Sequence, residues 1–252
     1  MLRFFRQLRK DQLMSDKTRK YIFYAVGEIL LVVIGILIAL QVNTWNENRQ
    51  KRIEETYYLE KLIENIEADS VLVQNLLSFQ RIIASSVDSA LIMMASESEF
   101  EPDKFSEHLN AILGVQSFKQ NSVTYDNLIA SGKISYITDQ QLVNSLFTYY
   151  DPGNEFMNWD DAARHYTRNI FGPFILENYY LTSGGLNAGS LNENYAALDS
   201  PVFTYAQLRE NQQLLNNLNM KYRLVTGQIE VYSTTITAMQ TELLKNLRSA
   251  LK

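Results

Sequence analysis

Hydrophobic positions along the chain fall into three successive patterns. Residues Tyr21–Leu40, YIFYAVGEILLVVIGILIAL, form an apolar block interrupted by a single charge, Glu28. A helix of about twenty residues, at 1.5 Å per residue, spans the roughly 30 Å hydrocarbon core of a bilayer. Farther on, Leu62, Ile66, Asp69, Val73, Leu76, Gln80, Ile83, Val87, Ala90 and Met94 recur at alternating spacings of four and three. Eight of these ten are apolar, which is heptad periodicity rather than strand alternation. No glycine occurs from Ile36 to Leu113 and no proline from Met1 to Glu101, so the usual helix stops are missing. The pattern predicts one long helix over 46–96, ending near SESEFEPD.

The third pattern follows Asp199-Ser200-Pro201. Leu208, Leu215, Leu218, Tyr222, Val225, Ile229, Tyr232, Ile236, Met239 and Leu243 repeat the same spacing, with Gly227 alone interrupting the run. Two arms of about fifty residues, each about 75 Å by rise per residue, match in length. An antiparallel hairpin is the economical arrangement. It returns the C-terminus towards the membrane, with Lys245, Arg248 and Lys252 favourably placed at a helix C-terminus. Asp69 and Gln80 on the seam are costly in a sealed core and point to a role in register or oligomeric state.

Shorter helices are expected between the arms. Thr138-Asp-Gln-Gln141 reads as a capping box opening LVNSLFTYY, and Gly132 suits the position just past the helix TYDNLIAS. Pro152-Gly153 marks a turn, followed by a helix of about 25 residues with Pro173 kinking it. LTSGGLNAGSLNENYAALDSP, residues 181–201, reads as a polar loop, long enough to suggest function or mobility. The expected fold is therefore all-α: an N-terminal transmembrane helix running into a long antiparallel helical hairpin with a distal cap of shorter helices. Its parts are a basic cytoplasmic head (1–20), a transmembrane signal anchor (21–42), a first arm (43–102), a helical cap (103–200) and a second arm (201–252).

Charge sets the orientation. The first twenty residues carry seven bases against Asp11 and Asp16, a net of +5, whereas the whole chain is −5 and the remainder therefore −10. By the positive-inside rule the head is cytoplasmic and the bulk extracytoplasmic, a single-pass inner-membrane topology with a periplasmic domain. The block is too long for a cleaved signal peptide, and Gln41-Val42-Asn43-Thr44-Trp45 offers no cleavage site. Tyr21, Phe23 and Tyr24 at one end and Trp45 at the other fit interfacial aromatic belts. MLRFFRQLRK either forms a short interfacial amphipathic helix or only sets topology. The acidic remainder lacks the clustered bases that nucleic acid requires.

Glu28 is the unusual residue of the span. A carboxylate there costs on the order of 2.5–3.5 kcal/mol on insertion scales. Gly35 and Ala39 lie within about 20° of it on a helical wheel, giving a stripe of small residues plus an acid. Either this stripe associates with another span, in a homo-oligomer or a different membrane protein, or Glu28 is protonated or reaches the headgroup layer.

The block YAVGEILLVVIGILIALQVNTWNENR, after the basic head and SDKTRKY, resembles an uncharacterised family of small single-span proteins from Bacteroidetes-type bacteria, known as a domain of unknown function. Residues 124–150, TYDNLIASGKISYITDQQLVNSLFTYY, are similar to that family's mid-domain segment. The resemblance implies an inner-membrane protein with no assigned activity, and it carries over no catalytic residue.

Candidate chemistry is sparse. With no cysteine and two histidines, His108 and His165, a metal site would lean on carboxylates. Asp161 and His165 stand four apart beside Asp160, which a helix-surface polar pair explains better than a metal. Neither a nucleophile elbow nor a phosphate loop is present, since Ser131-Gly132-Lys133 lacks the spacing. The sequence thus predicts no enzyme, no cofactor and no metal. Aromatics crowd the cap, most of them suited to a core. The adjacent pairs Tyr149-Tyr150 and Tyr179-Tyr180 cannot all face inward and are the candidate partner contacts. The function expected is a protein-interaction domain for scaffolding or assembly, the alternative being a ligand-sensing module that acts through a partner membrane protein.

Overall fold

The computed structural model describes residues 16–98, 102–153, 155–179 and 205–252. The basic head before residue 16, Tyr180 and the polar loop 181–201 lie outside the described residues. All regular structure among the described residues is helical. The chain divides into a first unit, 1–56, and a second, 57–252.

Helix α1 covers Asp16–Ala95, 80 residues, and ends at the SESEFEPD boundary. Within the first unit it is long and apolar enough to cross a membrane. Every large apolar side chain from Tyr21 to Val42 is between 46% and 82% exposed among the described residues.

In the second unit the α1 seam is buried without a break. Leu59, Leu62, Ile66, Asp69, Val73, Leu76, Gln80, Ile83, Val87, Ala90 and Met94 are all inside, at strictly alternating spacings of three and four. Two apolar cores lie along this seam. One joins Leu59–Leu77 to Leu128, Leu142, Leu146, Tyr232, Ile236 and Leu247. The other joins Ile83–Met94 to Phe105, Leu109, Phe171, Ile175, Leu214, Leu218 and Val225. Gln80 falls between the two sets, fully buried, with its Oε1 unpartnered among the described residues.

The intervening helices are α2 (Pro102–Ile112), α3 (Val123–Ala130), a 3₁₀ turn (Lys133–Tyr136), α4 (Gln140–Tyr150), α5 (Glu155–Tyr166) and α6 (Gly172–Asn178). Gly132, at φ +70°, takes the left-handed conformation expected just past α3. Helix α4 is capped by Asp139 rather than Thr138: its Oδ1 accepts from the N–H groups of Gln141 at 2.8 Å and Leu142 at 3.1 Å. A carboxylate there also favours the helix dipole. Between α5 and α6 a π-helical turn, Thr167–Phe171, widens the helix where the following Pro173 cannot donate a backbone hydrogen bond.

The C-terminal segment comprises α7 (Tyr205–Arg209), α8 (Gln212–Glu230), a second π turn (Val231–Ile236) and α9 (Thr237–Ala250). Its buried seam is Leu214, Leu218, Lys221, Val225, Gln228, Tyr232, Ile236, Gln240, Leu243 and Leu247. The expected seam placed Tyr222 inside, but Tyr222 is exposed and Lys221 takes the buried position. Three successive spacings of four run from Gln228 to Gln240, across the π turn. A π turn holds an extra residue, and this lengthened spacing keeps one face inward.

Gly227 has a packing reason for its place in α8. A Cβ built there would stand 2.5 Å from Cζ3 of Trp159, on α5. In an exposed helix, glycine to alanine stabilises by roughly 1 kcal/mol. Here the sign reverses: Gly227→Ala is expected to destabilise by about 1–3 kcal/mol, as overpacking does. Urea unfolding followed by circular dichroism checks this, and a stabilised variant would show that the indole moves aside freely.

Candidate functional site

Residues 114–122 link α2 to α3 without helix, and buried acids hold this strap at two points. Asp160, on α5, accepts from the Phe118 N–H through Oδ2 at 2.7 Å, and through Oδ1 from Gln228 Nε2 at 2.8 Å and from the Tyr232 hydroxyl. Three residues on, the Asn121 N–H donates to Asp69, on α1, at 2.9 and 3.2 Å to its two oxygens. The Tyr149 hydroxyl also donates to Asp69, at 2.8 Å, and accepts from Gln240 Nε2 at 3.1 Å. The Asn121 carbonyl receives the Tyr150 hydroxyl and Asn65 Nδ2, each at 3.3 Å. Gln120 Nε2 donates to the Tyr149 carbonyl.

Each acid thus meets a backbone N–H and a phenol, and a glutamine amide completes each set. Burial is the dominant influence on both carboxyls and raises them above the usual carboxylate range, with the donated hydrogen bonds pulling the other way. Burial likewise pushes the Tyr149 and Tyr232 hydroxyls far upward, and the facing acids add to it. Both phenols therefore remain donors at any ordinary pH. The arrangement fixes the strap; it exposes no group for acid–base exchange with a substrate.

Beside the strap, α3 and α4 wall an open cleft of about 740 Å³. Lys119 enters it from the strap, Tyr125 and Asp126 from α3, Phe147 and Tyr150 from α4, and Asp151 from just beyond α4. Tyr125 and Tyr150 stack at 4.4 Å between ring centroids, 17° from parallel, and Phe147 meets Tyr125 edge-on at 6.2 Å. Phe147 is 44% exposed. Partial burial raises the Tyr125 hydroxyl, followed by the negative charges of Asp126 and Asp151.

Farther along α8, Lys221 is buried with its Nζ donating to Thr167 Oγ1 at 2.6 Å, and that hydroxyl donates to the Ala163 carbonyl at 2.7 Å. Burial lowers its pKa from 10.5 to about 8. Thr167 opens the first π turn, so a locally widened helix supplies the acceptor.

The residues singled out in the sequence are dispersed. Glu28, Gly35 and Ala39 lie exposed on the first unit, with no described residue within 4 Å of a Cβ built at Gly35. Tyr21, Phe23, Tyr24 and Trp45 are exposed there too. Tyr149, Tyr150 and Tyr179 are buried, correcting the expectation that an adjacent tyrosine pair must turn one ring outward. Tyr149 is drawn in by Asp69 and Gln240, while Tyr150 packs on Tyr125. The Tyr179 hydroxyl receives Asn211 Nδ2 at 2.6 Å. Asp160 and its neighbours do not converge: Asp161 pairs with Arg164, and His165 meets Asn169 at 3.0 Å, both on the exposed surface. Among the described residues no three His, Asp or Glu side chains gather in a metal-holding group. The sequence reading missed Lys221 and the cleft aromatic Tyr125, and met Phe147 only as one of the aromatics that crowd the cap. A Tyr, an Asp and a Phe flanking one helical hairpin are signals only once α3 and α4 are placed side by side.

The profile of a family of unknown function, DUF6090, matches residues 28–154, a range holding part of the apolar block, the α1 seam, the strap and both cleft helices. No curated protein and no solved structure matches the chain.

Proposed function

Because the chain belongs to the family of unknown function DUF6090, which brings no chemistry with it, we propose its role from location and surfaces: a single-pass inner-membrane protein whose extracytoplasmic helical unit is a protein-interaction module for scaffolding or assembly. The observation that carries this is the exposed apolar stretch Tyr21–Val42 in α1. So much lipophilic surface has no counterpart in a water-borne helix, and a bilayer is the solvent that accommodates it. The basic head supports a cytoplasmic N-terminus, and the resemblance to single-span Bacteroidetes-type proteins supports a periplasm as the setting.

The antiparallel hairpin belongs to this proposal. Arg248 Nη2 meets Glu67 Oε1 at 2.7 Å, and Arg209 Nη2 donates to the Ser98 carbonyl at 3.3 Å, so ascending α1 numbers meet descending C-terminal ones. The central helices contribute to both cores along the arms, which fits a packed side layer better than a distal cap. A non-enzymatic role is supported by the saturation of Asp160 and the surface pairing of Asp161 and His165. The cleft favours one second reading, a ligand-sensing module acting through a partner membrane protein, with Glu28, Gly35 and Ala39 as the association face.

Two measurements test this. A phosphatase reporter fused to the C-terminus is expected to be active outside the cytoplasm, and activity restricted to the cytoplasm would overturn the orientation. Purification of the intact protein in mild detergent, beside Glu28→Leu, is expected to yield a defined partner that the variant loses. A lone, well-folded oligomer in both preparations would transfer the reading to the sensor.

A further inference from the structure

The cleft between α3 and α4 is a built feature rather than a surface dent. Its strap side is fixed by two buried carboxylates, Asp160 holding the N–H of Phe118 and Asp69 that of Asn121. Burying an acid is costly even when it is hydrogen-bonded, and an apolar core would not need it. The expense secures the backbone on either side of Lys119 and Gln120, which face the cleft. On the opposite walls two carboxylates stand beside aromatic faces. Asp126 accepts from Ser122 Oγ at 2.7 Å, and Asp151 from the Gly153 N–H at 2.9 Å, which leaves each with further lone pairs.

We propose that this cleft binds an organic cation, an ammonium or guanidinium group carried on an apolar stem. The inference rests on reading the second unit as a binding module and assigns the chemistry of what it binds. Carboxylates attract the charge, and the half-exposed ring of Phe147 with the edge of the Tyr125–Tyr150 stack accepts cation and stem together. A cleft of about 740 Å³ falls within the size of small-molecule sites and exceeds what one ammonium group fills. Lys119 opposes the cation from the strap, but the two acids outnumber it in the lining. The same chemistry arises from a free polyamine or from Lys and Arg side chains of a basic polypeptide.

The test titrates the full chain, in lipid nanodiscs, with spermidine and with a capped tetra-lysine peptide by isothermal calorimetry. Saturable binding of either is expected, about tenfold weaker in Asp126→Asn/Asp151→Asn, several-fold weaker in Phe147→Ala, and unchanged or tighter in Lys119→Gln. Spermidine alone would assign a free polyamine, and the peptide alone a basic chain; each supports the proposal. The exposed pair Asp88→Asn/Glu107→Gln changes the net charge equally and is expected to leave affinity unaltered. Equal weakening by this control pair, or no binding of either cation, overturns the proposal. A capped tetra-glutamate peptide that binds in a Lys119-dependent manner would overturn the cation chemistry while leaving the binding module standing. The reporter and partner measurements would be unaffected by any of these results.

Discussion

Replacing Lys221 by methionine is expected to raise the stability of the folded chain by about 3 kcal/mol at pH 7, through removal of a buried cation. Its Nζ has Thr167 Oγ1 as acceptor in a buried seam, and burial lowers its pKa from 10.5 to about 8. At about 1.36 kcal/mol per pH unit, that drop measures the cost of keeping the amine charged inside. Methionine fills a similar length without the charge and forfeits one hydrogen bond, which trims the gain by about 1 kcal/mol at most. The pH dependence gives the result its sign. Between pH 8 and 10.5 the unfolded chain holds a proton on this amine that the folded chain has released, so wild-type stability rises with pH through that window. Below pH 8 both forms are charged and the full penalty applies. The advantage of Lys221→Met should therefore be constant up to about pH 8 and fade towards pH 10.5. Urea unfolding of both proteins at pH 7 and pH 10 decides it. A destabilised variant, or an advantage that does not shrink, would mean that the amine is stabilised by something other than Thr167.

Legibility differed between the two arms for a physical reason. Along α1 the alternation of threes and fours was regular enough that all ten predicted positions, including Asp69 and Gln80, are buried. Along the C-terminal segment the sequence reading followed the three-four spacing to the tyrosine at 222, whereas Lys221, of a residue type rarely placed inside, takes the buried position. It also assumed an unbroken helix, whereas the π turn at Val231–Ile236 inserts a residue and moves the inner face. The seam there carries Lys221, Gln228 and Gln240, polar residues whose partners lie on other helices. Their burial follows from pairing across 54 to 91 residues of sequence, and no local periodicity encodes that. The two buried acids illustrate the difference. Asp69 was legible as a seam position, but its role as the anchor of Asn121 was not. Asp160 drew notice as a neighbour of Asp161 and His165, yet it turns away from both into the core. The cleft was not legible at all, because it depends on α3 and α4 being placed side by side.

Asp160→Ala is expected to cost about 3–5 kcal/mol, the largest loss from any single substitution in the strap network. The carboxylate receives three donors, the Phe118 N–H, the Gln228 amide and the Tyr232 hydroxyl, and all three residues are buried. Alanine leaves these donors without an acceptor and opens a cavity, and each unmet buried donor costs about 1–3 kcal/mol before relaxation. Asp160→Asn keeps one carbonyl oxygen and should lose roughly half as much, although its own amide then faces other donors. The pH profile separates this from an ordinary ion-paired aspartate. Burial raises the folded carboxyl above 3.8, so upward from that pH the folded chain holds a proton that the unfolded chain has lost. The contribution of Asp160 is complete below pH 3.8 and declines as pH rises through the raised value. The deficit of Asp160→Ala relative to wild type should therefore be larger at pH 3.5 than at pH 7, the reverse of what a salt-bridged acid gives. Asp69 is displaced in the same direction for the same cause, so Asp69→Ala should show the same acid-side trend. The two acids anchor strap residues only three apart. Removing either frees backbone that the other then holds less well, and the double variant should lose less than the sum of the singles. Strict additivity would mean that 114–122 is held elsewhere and that the cleft does not depend on these acids for its shape.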